Sequence, residues 1–369
     1  MFRGRVPVRV VPILTVFVAG SVLATVSSAA AIAQTTVAYS VTPSGPLLTV
    51  TGDAGVNDIT MFSSGTGGVE VNDPSSIVDS SGQCFQLNSQ TLVCPPVLSI
   101  VASGGPGDDR ISNQTAIPST LRGGAGRDTL IGGPNGDRLL GQAGNDTLDG
   151  GTGPDLMDGG DGEDTVTYAS RTASVFVYLT DSAFPTNGER NEGDTTFSIE
   201  NLIGGTGDDD LEAYVGTEHV LRGGDGDDHL ASTGNDVLLD GGNGNDDFFM
   251  LSGSGARMLG GPGNDTQRYA TNEQGPITFD GGPGNDSATG TSFADTLNGG
   301  DGKDHLGIVF SVADGDDVIN GGSGDDVLIG GLGNDTITGG PGIDSIDGGA
   351  GTDTCHAGPQ GGTPVNCEP

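Results

Sequence analysis

Four aspartates near the end of the chain, Asp326, Asp335, Asp344 and Asp353, stand nine residues apart, and each closes a turn spelled Gly-Gly-x-Gly-x-Asp. Such a turn is a ligand set. The side chain supplies charged oxygen, and glycine, free to take φ > 0, lets backbone carbonyls crowd toward the same point. The hard cation that takes six to eight such oxygens in flexible geometry is Ca²⁺, whereas Mg²⁺ demands a tight octahedron and keeps its waters. Strict copies of the turn begin at residues 104, 123, 150, 159, 204, 223, 241, 260, 281, 299, 321, 330, 339 and 348, with looser copies at 132, 141, 231, 290 and 312. A period this strict marks a repeat architecture.

Other chemistries find no support in the residues. There is no HExxH, GxSxG or P-loop, the single "GK" running on into Asp304. "DGDDHL" and "DGDDVI" lack the internal glycine and final glutamate of an EF-hand. His219, His229, His305 and His356 are dispersed, and the outward-facing seventh positions of His229 and His305 imply solvated rings. Adjacent acids such as Asp227 and Asp228 fall within repeated turns, where metal binding is a better use than glycosidase catalysis. The reading is therefore not an enzyme. A formal charge of −37 excludes nucleic acid and anionic lipid as partners and points to multiple cations.

The elements that position these carboxylates follow from the same nine letters. Of the 50 acidic residues 41 are Asp, and 69 residues are Gly, a pairing that favours turns and short strands over helix. The eighth position of each unit is apolar, as in Leu130, Leu139, Leu148, Met157, Val166, Leu328, Ile337 and Ile346, which marks a short strand with one inward face. Nine residues of turn and strand make only half of a coil. Two units make a full one, so alternate units stack about 4.8 Å apart. Asp128, Asp146 and Asp164 then form one column and Asp137 and Asp155 another, followed by Asp326 with Asp344 and Asp317 with Asp335 and Asp353. Unit charges at that spacing repel by roughly 1 to 3.5 kcal/mol per pair. A cation between the turns converts the repulsion into bridges.

Around the repeats the chain divides readily. Arg3, Arg5 and Arg9 precede an apolar run from Val10 to Val26, and Ala31-Ile32-Ala33 supplies a cleavage pattern. Residues 1–33 thus read as a signal peptide cut near Ala33-Gln34, with an uncleaved anchor as the alternative. Residues 34–103 hold short β-rich runs and read as a small N-terminal β cap. The roll occupies 104–356, with 168–203 as an enlarged rung or insert carrying an alternating strand (Val175, Val177, Leu179) and a returning strand (Phe197, Ile199). Residues 357–369 form a tail. The four cysteines allow three pairings, of which Cys84 with Cys94 and Cys355 with Cys367 close the shortest loops, the second clasping the tail. No stretch after the leader is apolar enough to span a bilayer. The mature chain is expected to be secreted and extracellular.

"GGAGRDTLI", "GGLGNDTIT" and "GGPGIDSID" resemble the GGxGxDxUx nonapeptide of the RTX, or haemolysin-type, calcium-binding repeat proteins. The resemblance covers about 250 residues, with interruptions. It implies an all-β fold, a right-handed parallel β-roll with Ca²⁺ between its turns, bound by turn carbonyls and the sixth-position aspartates. Here those are Asp109, Asp128, Asp137, Asp146, Asp155, Asp164, Asp209, Asp228, Asp246, Asp265, Asp286, Asp304, Asp317, Asp326, Asp335, Asp344 and Asp353. Three departures stand out. An N-terminal leader replaces the family's C-terminal export signal, and no enzyme or toxin domain precedes the roll. The units at 204, 223, 241 and 260 are set apart by spacers, so their ions would lack a partner turn. Gln267 and Ala288 stand where a larger apolar residue belongs, weakening the middle. The function implied is a calcium-folded structural or binding module. A calcium-stiffened adhesin or surface-layer component, facing a cell-surface or polysaccharide partner, is the alternative.

Overall fold

The computed structural model describes residues 34–368 except 181–186, 191, 215, 217, 269–274 and 308–314. The leader, with its cleavage point up to Ala33, lies outside the described residues. So does part of the polar loop in the insert.

Strands of two to eight residues alternate with tight turns, and no helix occurs among the described residues. Successive strands lie on opposite walls of a flattened coil, and each pairs in parallel with the strand one full coil later. Thr129–Ile131 pairs with Thr147–Asp149, placing Leu130 beside Leu148. On the other wall Arg138–Ala143 pairs with Leu156–Asp161, placing Leu139 beside Met157. The fold is the expected all-β parallel β-roll.

One wall is a continuous ladder running from the N-terminal hairpin to Thr354–His356. The other wall is made of two sheets, one of 8 strands and one of 10. They meet in the insert. Thr195–Phe197 is the last strand of the first sheet, and Val175–Leu179, edged by the short antiparallel Gly188–Glu189, begins the parallel run of the second by pairing with Asp210–Ala213. Residues 168–203 are thus a seam at which one sheet is exchanged for another, rather than only a widened rung. Val175, Val177 and Leu179 face inward as expected. In the returning strand the inward residue is Thr196, in register with Met157, while Phe197 is only half-buried.

The interior is as thin as the nonapeptide requires. Each strand of the roll sends its eighth-position side chain inward, and Leu130, Leu139, Leu148, Val166, Leu328 and Ile337 are fully buried. In the middle, Phe248 and Phe279 meet edge to face with centroids 6.3 Å apart. They fill volume beside the small Ala288 and the polar Gln267, both buried. Gln267 Oε1 accepts the Thr289 N–H at 2.8 Å, while its Nε2 is buried without an acceptor. With so few large side chains per coil, each counts heavily. Phe279→Ala is expected to cost about 3–5 kcal/mol in the calcium-saturated chain, read from the shift in a urea unfolding curve.

Both ends are covered by chain that leaves the repeat. Thr35–Thr42 folds antiparallel onto Gly45–Thr51, and Val69–Asn72 onto Asp58–Ser63. The bonded pair Cys84–Cys94 staples the hairpin Phe85–Asn88 with Thr91–Cys94. The parallel stack itself reaches back through Asp58–Ser63, which pairs with Arg110–Gln114. At the other end Cys355 is bonded to Cys367, and Gly362 and Val365 bridge to Asp344 and Asp347, laying the tail across the last rungs.

Candidate metal centre

A single turn, Gly123 to Asp128, shows how the carboxylate is placed. Gly124 and Gly126 both take positive φ, +135° and +137°, which folds the chain tightly enough for the Asp128 side chain to lie across its own turn. A Cβ on Gly123 would sit 2.2 Å from Asp128 Oδ2, so only glycine leaves room for the carboxylate. The carbonyls of one turn face the backbone of the next: a Cβ on Gly124 would lie 1.9 Å from the Gly105 oxygen. Neither the conformation nor the space admits a side chain. Gly124→Ala is expected to destabilise the calcium-loaded roll by about 2 kcal/mol or more, checked as a fall in thermal midpoint.

Each carboxylate reaches back toward the preceding coil. Asp128 Oδ1 accepts the Asp109 N–H at 2.8 Å, Asp146 Oδ1 accepts the Asp128 N–H at 2.8 Å, and Asp164 Oδ1 accepts the Asp146 N–H at 2.7 Å. One oxygen is thereby satisfied. The other is buried with no hydrogen-bond donor at Asp109, Asp128, Asp146, Asp155, Asp164, Asp228, Asp246, Asp265, Asp286, Asp304, Asp326, Asp344 and Asp353. Buried polar atoms are ordinarily bonded, and leaving an acceptor bare costs about 1–3 kcal/mol, more if charged. A repeated orphan of one kind, at one position of one motif, points to a repeated ligand. The donors are all oxygen and anionic, which fits Ca²⁺.

The electrostatics agree. With no cation beside them, burial drives the carboxyls far above the usual range: Asp155 and Asp228 to about 8, Asp164 and Asp265 to about 7, and Asp128, Asp246, Asp286 and Asp304 to about 6. Backbone N–H donors oppose the shift, and neighbouring carboxylates add to it. At neutral pH the seats raised to about 7 or 8 hold a proton unless a cation takes its place.

The structure sorts the sequence-predicted aspartates into four rows. On the continuous wall Asp109, Asp128, Asp146 and Asp164 form the first, and Asp317, Asp335 and Asp353 belong to the last, as the stacking of alternate units requires. Asp137 and Asp155 begin a short row on the opposite edge. The longest row is Asp209, Asp228, Asp246, Asp265, Asp286, Asp304, Asp326 and Asp344, linked at 2.7–3.2 Å from backbone N–H to Oδ1. This corrects the expectation that the units at 204, 223, 241 and 260 stand alone. Their intervals equal one coil, so they are direct neighbours, and the spacers form the opposite wall.

Other residues occupy seats that the strict motif does not mark. Asp194 extends the short row, with Oδ1 accepting the Asp155 N–H at 2.9 Å. Asp295 opens the last row, its N–H donating to Asp317 Oδ1 at 2.7 Å. The looser copy at 290 is the signal for Asp295; Asp194 lies within the insert, where the spelling is lost. Asn57 takes the equivalent place before Asp109, at the close of "GDAGVN", a worn copy of the turn within the cap. In the middle of the continuous wall the seats pass to buried His219, Val237, Ala256 and Ile277, so aspartates line only one edge there. On the outer rim a fifth-position ladder runs from Asp227 through Asn245 and Asn264 to Asn285, each Asn Nδ2 donating to the preceding Oδ1 at 2.8–2.9 Å.

The flank of the second sheet carries one further polar group. Asp210, Glu212 and His229 offer ligand atoms within 4.8 Å of one another. His229 Nδ1 also lies 3.3 Å from Asp247 Oδ2, and Arg268 Nε lies 2.9 Å from Asp247 Oδ1. His229 is therefore half-buried among acidic side chains rather than freely solvated; His305 is exposed, as expected.

The profile describing the RTX calcium-binding nonapeptide repeat, four copies long, matches residues 119–148, 131–166, 222–255, 280–306, 311–337 and 329–363. No curated protein matches the chain. The matched segments take in turns from all four rows, and the orphaned Oδ2 atoms recur within them. The chain therefore carries the RTX, or haemolysin-type, calcium-binding nonapeptide repeat across these segments.

Proposed function

We propose that the protein is a secreted structural module that folds around several Ca²⁺ ions held between stacked turns, with the sixth-position aspartates as ligands and no catalytic role. The observation that carries this reading is the repeated buried Oδ2 without a donor, each lying over the first glycine of its own turn. The turn carbonyls supply the remaining oxygens, and the ion offsets the repulsion along each row. Export is supported by the Arg-then-apolar leader and by two disulfides, which form and persist outside the cytosol. No helix of the described residues is long and apolar enough to cross a membrane.

Calorimetric titration of the metal-stripped chain tests the reading. Calcium is expected to bind at several sites per chain, and magnesium to give no comparable heat. One weak site, or equal response to both ions, contradicts it.

A further inference from the structure

Not every aspartate of the motif is left with a bare oxygen. Asp137 Oδ2 accepts the Gly133 N–H at 2.6 Å, and Asp209 Oδ2 accepts the Gly205 N–H at 2.6 Å. Asp295 Oδ2 accepts the Thr291 N–H at 2.5 Å. In each case the donor is the second residue of the aspartate's own turn, so the chain itself supplies the partner that the other seats lack.

The backbone shows how. At the second position Gly105, Gly124, Gly151, Gly224 and Gly242 take φ between +88° and +135°, as do the other strict copies, and even Gln142 is held at +84°. Gly205 is the one exception among the strict copies, and Gly133 of a looser copy joins it; neither has positive φ. Thr291, β-branched, is poorly suited to it. Where the second residue adopts positive φ, its N–H does not bond the carboxylate; where it does not, the N–H closes on Oδ2.

These three seats share one position in the fold. Each is the first of its row, and the segment it stacks on is not a glycine turn. Asp137 Oδ1 reaches back to Ser119, Asp209 Oδ1 to Val175 and Asp295 Oδ1 to Ile277. Asp109, by contrast, stands on the worn turn ending at Asn57, and its Oδ2 remains bare. An ion between two coils needs oxygens from two glycine turns. A turn stacked on anything else has only half a cage.

From this we infer that a row takes its first ion between its first and second glycine turns, and that Asp137, Asp209 and Asp295 are capped by the backbone and hold no calcium. Two of the residues that match the motif, Asp137 and Asp209, are on this account hydrogen-bond anchors that start their rows without metal. At the seam the same economy closes the short row: Asp194 Oδ2 accepts the Tyr168 hydroxyl at 3.0 Å, beside the buried Arg171–Glu192 pair.

The inference rests on the calcium reading, and native mass spectrometry of the calcium-loaded chain separates the two. Calcium is counted in the wild type and in Asp209→Asn, Asp228→Asn and Thr291→Gly. Asp228→Asn is expected to lose at least one ion. Asp209→Asn keeps the wild-type count, and so does Thr291→Gly, because the partner turn, not the residue at 291, is what is missing. Loss of an ion from Asp209→Asn, or gain of one in Thr291→Gly, overturns the inference; no calcium on the wild type overturns the underlying reading instead. Should Asp209→Asn fail to fold, Asp137→Asn repeats the comparison in a separate row.

Discussion

Stripped of metal at pH 8, the chain is expected to lose the β signal in its far-ultraviolet circular dichroism, and millimolar calcium is expected to restore it where magnesium does not. The reason is the weakness of every other term. Each coil buries two inward side chains, such as Leu130 and Leu139, against a wall of glycine turns whose ordering is costly in backbone entropy. Along the rows, carboxylates one coil apart repel, and those of Asp128, Asp146, Asp228 and Asp246, among others, keep a second oxygen without a donor. A calcium site with Kd near 10⁻⁴ M contributes roughly 1.4 kcal/mol at about 1 mM free ion. About ten such sites match the stability of a whole domain. The disulfides hold only short loops, Cys84 to Cys94 and Cys355 to Cys367, and cannot replace that sum. Unchanged dichroism in dialysed, metal-free buffer would mean that the fold stands without its ions.

The second large effect is an inversion of pH dependence. Burial raises Asp155 and Asp228 to about 8, and Asp164 and Asp265 to about 7, when no cation is present. In the unfolded chain they titrate near the ordinary aspartate value of about 4. Between those limits the metal-free fold binds more protons than the unfolded chain, so its stability falls as pH rises through 6 to 8 and is regained on acidification. With calcium bound the sign reverses. The ion holds the carboxylates ionised, protons compete with it, and stability is lost as pH falls. Followed from pH 8 to pH 5, the metal-free chain should gain folded fraction by circular dichroism, whereas the thermal midpoint of the calcium-loaded chain should fall. Changes of the same sign would show that the buried carboxyls are not the groups that calcium engages.

Much of this was legible in the spelling. The eighth-position rule found the interior, from Leu130 to Ile346, and the nine-residue half-coil found the stacking partners of Asp128, Asp146 and Asp164. What misled was counting along the chain instead of around the coil. The strict copies at 204, 223, 241 and 260 look separated, yet intervals of one full coil put them in the longest row. The seam escaped notice because an exchange of sheets is a matter of which strand pairs with which, and Val175–Leu179 reads the same whichever sheet it joins. Gly205 escaped for a similar reason: its turn is spelled like its neighbours, and only the segment beneath it decides which way its N–H points. Local sequence sets what a turn can do; the neighbouring coil selects among those options.

The central claim is that calcium lies between stacked turns, against the carboxylate oxygens that the protein leaves bare. A long-wavelength anomalous difference map from crystals of the calcium-loaded chain addresses it atom by atom. Peaks are expected in the layers between turns, beside Oδ2 of Asp128, Asp228, Asp246 and Asp265, with none against Oδ2 of Asp137 or Asp209. An ordered roll with no peaks between its turns, or with calcium only on the outer rim at Asp227 and its asparagine ladder, would contradict the account.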